Sequence, residues 1–121
     1  MLDALAAQGV RLAVLSNKPH DFTELMVRGQ LPRWHFETVA GARPGVPRKP
    51  DPAVALQITR MLGIEPSEII FLGDSEIDMK TASAAGMFAA GALWGFRDAG
   101  ELRESGAREL LACPADLLRL L

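Results

Sequence analysis

One ten-residue stretch constrains this chain more than any other: Ile69-Ile70-Phe71-Leu72-Gly73-Asp74-Ser75-Glu76-Ile77-Asp78. Four apolar residues in a row, two of them β-branched, read as a short strand buried on both faces. Gly73 lets the backbone turn, and Asp74 lands just past the strand's carboxyl end. Ser75 is placed to cap the following helix, with Asp78 three residues on in the position of the capping-box acid. A spacing of four puts Asp74 and Asp78 on one face if the turn continues into helix. Two carboxylates converging at the carboxyl edge of a parallel sheet make a hard-oxygen site suited to Mg²⁺. Taken alone, the segment also reads as a strand followed by an acid-capped helix with no chemistry attached.

The remainder of the chain decides between these readings. Its 121 residues suffice for one small domain with a core. A net charge of −2 provides no strong field toward nucleic acid or an anionic membrane, so neither is expected as a partner. No apolar run approaches the ~18 residues of a membrane span. No basic segment precedes the first apolar residues, and Asp3 comes early, so no secretory leader is expected. The single Cys113 excludes an internal disulfide and fits a reducing cytosol; its expected role is that of a small apolar filler.

Read in order, the chain alternates helix and strand. Leu2, Leu5 and Ala6 have helical spacing, ended by Gly9. Val10 to Leu15 reads as a strand terminated by Ser16-Asn17-Lys18-Pro19, and a helix from Asp21 or Thr23 runs to about Arg28, closed by Gly29. Residues 34–41 hold a short apolar stretch that suggests another strand. Prolines at 44, 47, 50 and 52 forbid regular structure and frame Lys49. Asp51 and Pro52 then start a helix from Ala53 to about Leu62, with Val54, Ile58, Met61 and Leu62 as its apolar stripe. After the central stretch, an alanine-rich helix ends at Gly86, Met87 to Leu93 reads as a strand, and a helix from Ala99 to Glu104 follows. Leu110-Leu111 and a last helix from Ala115 complete the pattern. Trp94 and Phe96 read as core or rim packing residues, and His35 as a packing residue unless it lies at the surface. His20 stands near enough to the Ser-Asn-Lys turn to reach a ligand.

Three polar clusters occupy comparable positions. Ser16 and Asn17 follow one strand, Lys49 precedes a helix, and Asp74 and Asp78 follow another strand. In a parallel sheet all carboxyl ends face one edge, so these groups can share a crevice. A hydroxyl, a cation and an acid pair would clamp a phosphoryl group and offset its transition-state charge. Singly, each cluster also reads as turn residues, a solvated loop charge or a helix cap.

At this point the chain resembles the haloacid dehalogenase (HAD) superfamily, and within it the phosphoglycolate phosphatase-like branch. The matching residues are Leu15-Ser16-Asn17-Lys18-Pro19, Lys49-Pro50-Asp51-Pro52, and Gly73-Asp74-Ser75-Glu76-Ile77-Asp78 with Ala82 and Ala85-Gly86-Met87 behind it. Trp94-Gly95-Phe96-Arg97 is similar to this branch too. The resemblance implies an α/β, Rossmann-like (HAD-like) three-layer sandwich with a parallel sheet, residues 1–121 forming part of the core domain without a cap. It also implies hydrolysis of a small phosphate monoester through an aspartyl-phosphate, with Mg²⁺ as cofactor. Ser16 would hydrogen-bond the phosphoryl group with Asn17 beside it, Lys49 would neutralise nucleophile and phosphate, Asp74 would ligate Mg²⁺, and Asp78 would ligate it or orient its water shell.

The resemblance is incomplete in one respect. The family's nucleophile lies in an Asp-x-Asp motif on its first strand, and this sequence contains no Asp-x-Asp. The chain as given is therefore expected to be inactive, and its sheet to lack its first strand, the one between the Val14 and Phe71 strands. With two edges so exposed, either the strands close up, or a second copy fills the gap, or a further segment does, and a homo-oligomer or aggregation of the bare chain is expected. Two other readings stand beside the phosphatase: a non-catalytic HAD-like module that binds phosphate, metal or a partner, and a response-regulator type domain phosphorylated on Asp74. The Lys-Pro-Asp-Pro loop and the Ser-Asn-Lys turn fit the phosphatase pattern better than the regulator. The expected location is the cytoplasm.

Overall fold

A computed structural model describes residues 1–95 and 98–121. The elements are α1 (Leu2–Ala7), β1 (Ala13–Pro19), α2 (His20–Gln30), β2 (Thr38–Ala42), α3 (Ala53–Leu62), β3 (Ile70–Gly73), α4 (Glu76–Ala85), β4 (Phe88–Ala92), α5 (Ala99–Glu104) and β5 (Glu109–Leu111). Short 3₁₀ segments cover Pro66–Glu68 and Pro114–Leu120. This is an α/β architecture in which every strand pairing is parallel.

The sheet is divided. β1 pairs only with β2, whereas β3, β4 and β5 form a separate three-stranded sheet in that order. Side-chain alternation along β3 sets the layers. Ile69 and Phe71 pack toward Ala55 of α3, Met79, Ala82 and Ala85 of α4, and Leu102 of α5. Ile70 and Leu72 pack on the other face with Leu5 of α1 and Leu117 of the last 3₁₀ segment. Helical layers thus cover both faces.

Between the β1 and β3 edges lies a cavity of about 580 Å³. Its walls are Leu12 to Leu15 on one side and Ile69 to Leu72 on the other, with Leu5 and Leu117 on one face and Ala55 and Ile58 on the opposite one. This slot corrects the expectation that β3 is fully buried. All four of its residues are only half-buried, because one long edge faces empty space. A strand gains its burial from neighbours on both edges as well as from the layers above and below.

Other local expectations shift for identifiable reasons. β1 starts at Ala13 and continues through Ser16 and Asn17 to Pro19, which pairs with Ala42 after an irregularity beyond Leu15. The polar residues thus lie within the strand rather than ending it. Gly29 does not stop α2, which continues to Gln30. On α3 the buried positions are Ala55, Ile58 and Thr59, while Met61 is 62% exposed, so the inward face is rotated from the expected stripe. Cys113 is exposed at the N-cap of the last 3₁₀ segment, where its N–H donates to Asp116 Oδ2 at 3.3 Å, so it is not a core filler. Of the core or rim positions expected for Trp94, its 43% exposure excludes the core; Phe96 and Arg97 lie outside the described residues, and His35 is exposed. Gly63 and Gly86 end α3 and α4 in the left-handed conformation, as expected of glycine.

Candidate active site

The five residues singled out in the sequence stand at the carboxyl end of both sheets. Ser75 caps α4, its Oγ accepting the Asp78 N–H at 3.2 Å. The Asp78 side chain returns toward the start of the helix. Its Oδ2 accepts from the Asp74 N–H (3.2 Å) and from the Ser75 hydroxyl (3.1 Å). The reciprocal half of the cap therefore reaches Asp74 and the Ser75 side chain, rather than the Ser75 backbone. Gly73 is required here, since a Cβ on it would fall inside contact distance of the Asp78 side chain.

The other Asp78 oxygen, Oδ1, accepts from Lys49 Nζ at 2.7 Å. Both side chains are close to nine-tenths buried. Lys49 also donates to the Leu15 carbonyl at 3.3 Å. The loop that carries it is held by Asn17, whose Oδ1 accepts the Lys49 N–H and whose Nδ2 donates to the Lys49 carbonyl, both at 3.0 Å. Three segments far apart in sequence are joined by this network: β1, the proline-rich loop and α4. An ammonium has three protons, so with two committed, one remains to meet an anion.

Ser16 Oγ accepts the Lys18 N–H at 3.0 Å. Its own proton has no acceptor among the described residues. Asp74 is half-buried, and among the described residues its carboxylate accepts no hydrogen bond. Asp74 thus differs sharply from Asp78, whose two oxygens are both occupied. His20 is also committed: its Nδ1 accepts the Gly41 N–H at 3.1 Å, and its Nε2 pairs with Glu24.

As a test for Mg²⁺, the donor set fits in part. Asp74 presents a free carboxylate of the hard-oxygen type, and Mg²⁺ is commonly held by one or two carboxylates with waters and substrate phosphate completing its shell. Among the described residues no group of three or more His, Cys, Asp or Glu side chains gathers. This chain therefore supplies one open ligand, with Asp78 positioned behind it.

With this arrangement in view, comparison with known proteins places the chain. It belongs to the haloacid dehalogenase-like hydrolase family, which it matches over residues 1–92. Among similar proteins, the phosphoglycolate phosphatase of Pectobacterium atrosepticum is 33% identical over 120 residues, covering 99% of this chain and 51% of that protein. The phosphoglycolate phosphatase of Aquifex aeolicus is 30% identical over 120 residues, covering 99% of this chain and 55% of its own length. A solved structure from Lactobacillus delbrueckii subsp. bulgaricus, proposed to be a phosphoglycolate phosphatase, superposes with a TM-score of 0.90 at 32% identity, over 98% of this chain and 49% of that one. The chain spans about half the length of the curated relatives it matches.

The five residues were selected by motif, and no comparison assigns them a role. Sequence reading did not show that Asn17 is spent on holding the Lys49 loop, nor that Asp78 is spent on Lys49. Gly95 was visible only as part of a resemblance, yet it lies against Asp74.

Proposed function

We propose that the intact protein is a Mg²⁺-dependent phosphate-monoester hydrolase of the phosphoglycolate phosphatase type, and that this chain supplies the phosphate- and metal-facing half of its site. The observation that carries the reading is the buried Asn17–Lys49–Asp78 network beside the open Asp74 carboxylate. In this reading Lys49 directs its remaining N–H at a phosphoryl oxygen and compensates its charge in a site of low dielectric. Ser16 donates its hydroxyl proton to the same group. Asn17 fixes the Lys49 backbone rather than meeting substrate. Asp74 holds the metal, and Asp78 orients Lys49 and the Asp74 backbone, so of its two expected roles the indirect one is favoured. Bound there, Mg²⁺ would polarise the phosphoryl oxygens.

The reading extends to the slot and to the missing chemistry. No Asp-x-Asp occurs in the sequence, so the chain alone lacks the family's nucleophile and is inactive by itself. An added strand, from a second copy or from the remainder of a longer protein, occupies the slot between β1 and β3. Sedimentation of the purified chain separates these two sources: a dimer at micromolar concentration points to the second copy, a monomer to the longer protein. Location in the cytoplasm is supported by the lone cysteine, and among the described residues no helix is long and apolar enough to cross a membrane.

The test is hydrolysis of p-nitrophenyl phosphate with MgCl₂, by this chain and by a longer chain that includes the segment preceding it. The expected result is no turnover by the 121-residue chain and turnover by the longer one, lost in Asp74→Asn. Turnover by the short chain alone would overturn the account of the chemistry. Mg²⁺ binding by the longer chain without turnover would favour the non-catalytic module.

A further inference from the structure

The Asp74 carboxylate has no hydrogen-bond partner among the described residues. A metal ligand without such support needs some other restraint, because ligand orientation is normally fixed by the groups around it. The surroundings of Gly95 supply one. A Cβ built on Gly95 would lie 2.8 Å from Asp74 Cγ and nearer still to Asp74 Cβ and Oδ2. Among the described residues other than its chain neighbours, the three atoms nearest to that position all belong to Asp74. The bare α-carbon of Gly95 therefore forms a wall against the side of Asp74.

The contact is specific in two ways. It begins at Cβ, the root of the Asp74 side chain, so a rotation about χ1 cannot clear it. Asp74 is also held from behind, where its N–H donates to Asp78 Oδ2. The turn bearing Gly95 follows β4 and is anchored at its start, the Leu93 N–H donating to the Leu111 carbonyl at 2.9 Å. Asp74 is thus confined between the α4 cap and the turn after β4, and neither side leaves room for an added methyl group.

We propose that Gly95 is a positioning residue for Asp74: its lack of a side chain sets the direction in which the Asp74 carboxylate faces a divalent cation. The inference rests on the reading of Asp74 as the metal ligand. It adds a role for a residue on a different strand–turn unit from any of the five motif positions. Gly95 touches neither metal nor substrate and acts only through Asp74.

The test is Mn²⁺ binding to the longer chain that includes the segment preceding these 121 residues, read by electron paramagnetic resonance and by calorimetry, with thermal melting alongside. Mn²⁺ is the probe because it is a spectroscopically visible hard cation. The expected result is binding by the unmodified chain, loss of binding in Asp74→Asn, and affinity weakened about 10–100-fold in Gly95→Ala. Gly91→Ala serves as the structural comparison, since its Cβ would press on Leu110 and Leu102 and not on Asp74. It should alter melting and leave Mn²⁺ affinity unchanged. Unchanged affinity in Gly95→Ala, with Asp74→Asn still abolishing binding, would overturn the positioning role and spare the metal reading. No binding by the unmodified chain, or no effect of Asp74→Asn, would overturn both. Should Gly95→Ala fail to fold, adding Asp74→Gly should restore folding, because Asp74 alone supplies the three closest overlaps. A double variant as unstable as the single one would overturn the proposal.

Discussion

The two sheets of this molecule are built from similar strands and differ in what surrounds them. β4 lies between β3 and β5, and Ala89, Ala90, Gly91 and Ala92 are buried along it. β1 has β2 on one side and the slot on the other, and none of its residues is buried. Small residues in β4 let α4 pack closely, with Met79, Thr81 and Ala82 wholly removed from solvent. β1 carries larger side chains at Val14 and Leu15, yet buries them less. Between these two strands, burial follows the number of neighbouring strands rather than the size of the side chains. One buried ion pair ties the two parts together: Lys49 is bound to β1 through the Leu15 carbonyl and to α4 through Asp78.

The largest expected effect comes from cutting that tie. Lys49→Met leaves the Asp78 carboxylate buried without its cation and should destabilise by about 3–5 kcal/mol in urea unfolding. Lys49→Met combined with Asp78→Leu removes both charges and should cost less than the single change. Equal losses would mean that the pair does not join the two parts. Next, Met79→Ala in the closed part should cost about 2–5 kcal/mol, as truncation of a fully buried side chain does. Val14→Ala, on the open edge, should cost clearly less. A reversed order would contradict the contrast between the sheets.

Hydrogen exchange gives a finer reading of the same difference. Amides of β4 should exchange only with global unfolding, while those of β1 that face the slot should exchange through local opening, faster by tenfold or more. Uniform protection would mean that the slot is filled in solution. The smallest effect concerns Glu37, just before β2, which accepts from Arg11 Nε at 2.9 and 2.8 Å through its two oxygens. The hydrogen bond from Arg11 is the leading cause that holds the Glu37 carboxyl below its ordinary value. A folded-state value below the unfolded one contributes stability above the unfolded value and loses it as pH falls through the folded value. Glu37→Gln should therefore lower the melting temperature slightly at neutral pH and not at all once the pH lies below the folded-state value of Glu37. Both groups are at the surface, so high salt should reduce the difference.

Much of the architecture was legible because its causes are local. Gly63 and Gly86 end helices because left-handed backbone favours glycine. Ser75 caps α4 because its hydroxyl lies three residues from a free N–H. The alternation of helix and strand, and the motifs that resemble the HAD family, require only short windows of sequence. Features that depended on distant neighbours were not legible. The rotation of α3 that buries Ala55 and exposes Met61 depends on which surface it packs against. The continuation of β1 to Pro19 depends on its pairing with Ala42. The α2 helix runs through Gly29 because a helical glycine costs only about 1 kcal/mol, which tertiary packing readily offsets.

The same division holds for the candidate site. By itself, the sequence determined which residue types reach the carboxyl ends of the strands: Ser16, Asn17 and Asp74 follow apolar runs, and strand direction takes them there. It also determined that no Asp-x-Asp is present. Only the tertiary structure decided how the two acids differ. Asp78 meets a lysine 29 positions away, while Asp74 keeps an open carboxylate against Gly95. The physical reason is that the helix cap fills one Asp78 oxygen locally, whereas the partner of its other oxygen and the steric confinement of Asp74 are set by neighbours in space that no short window of sequence contains.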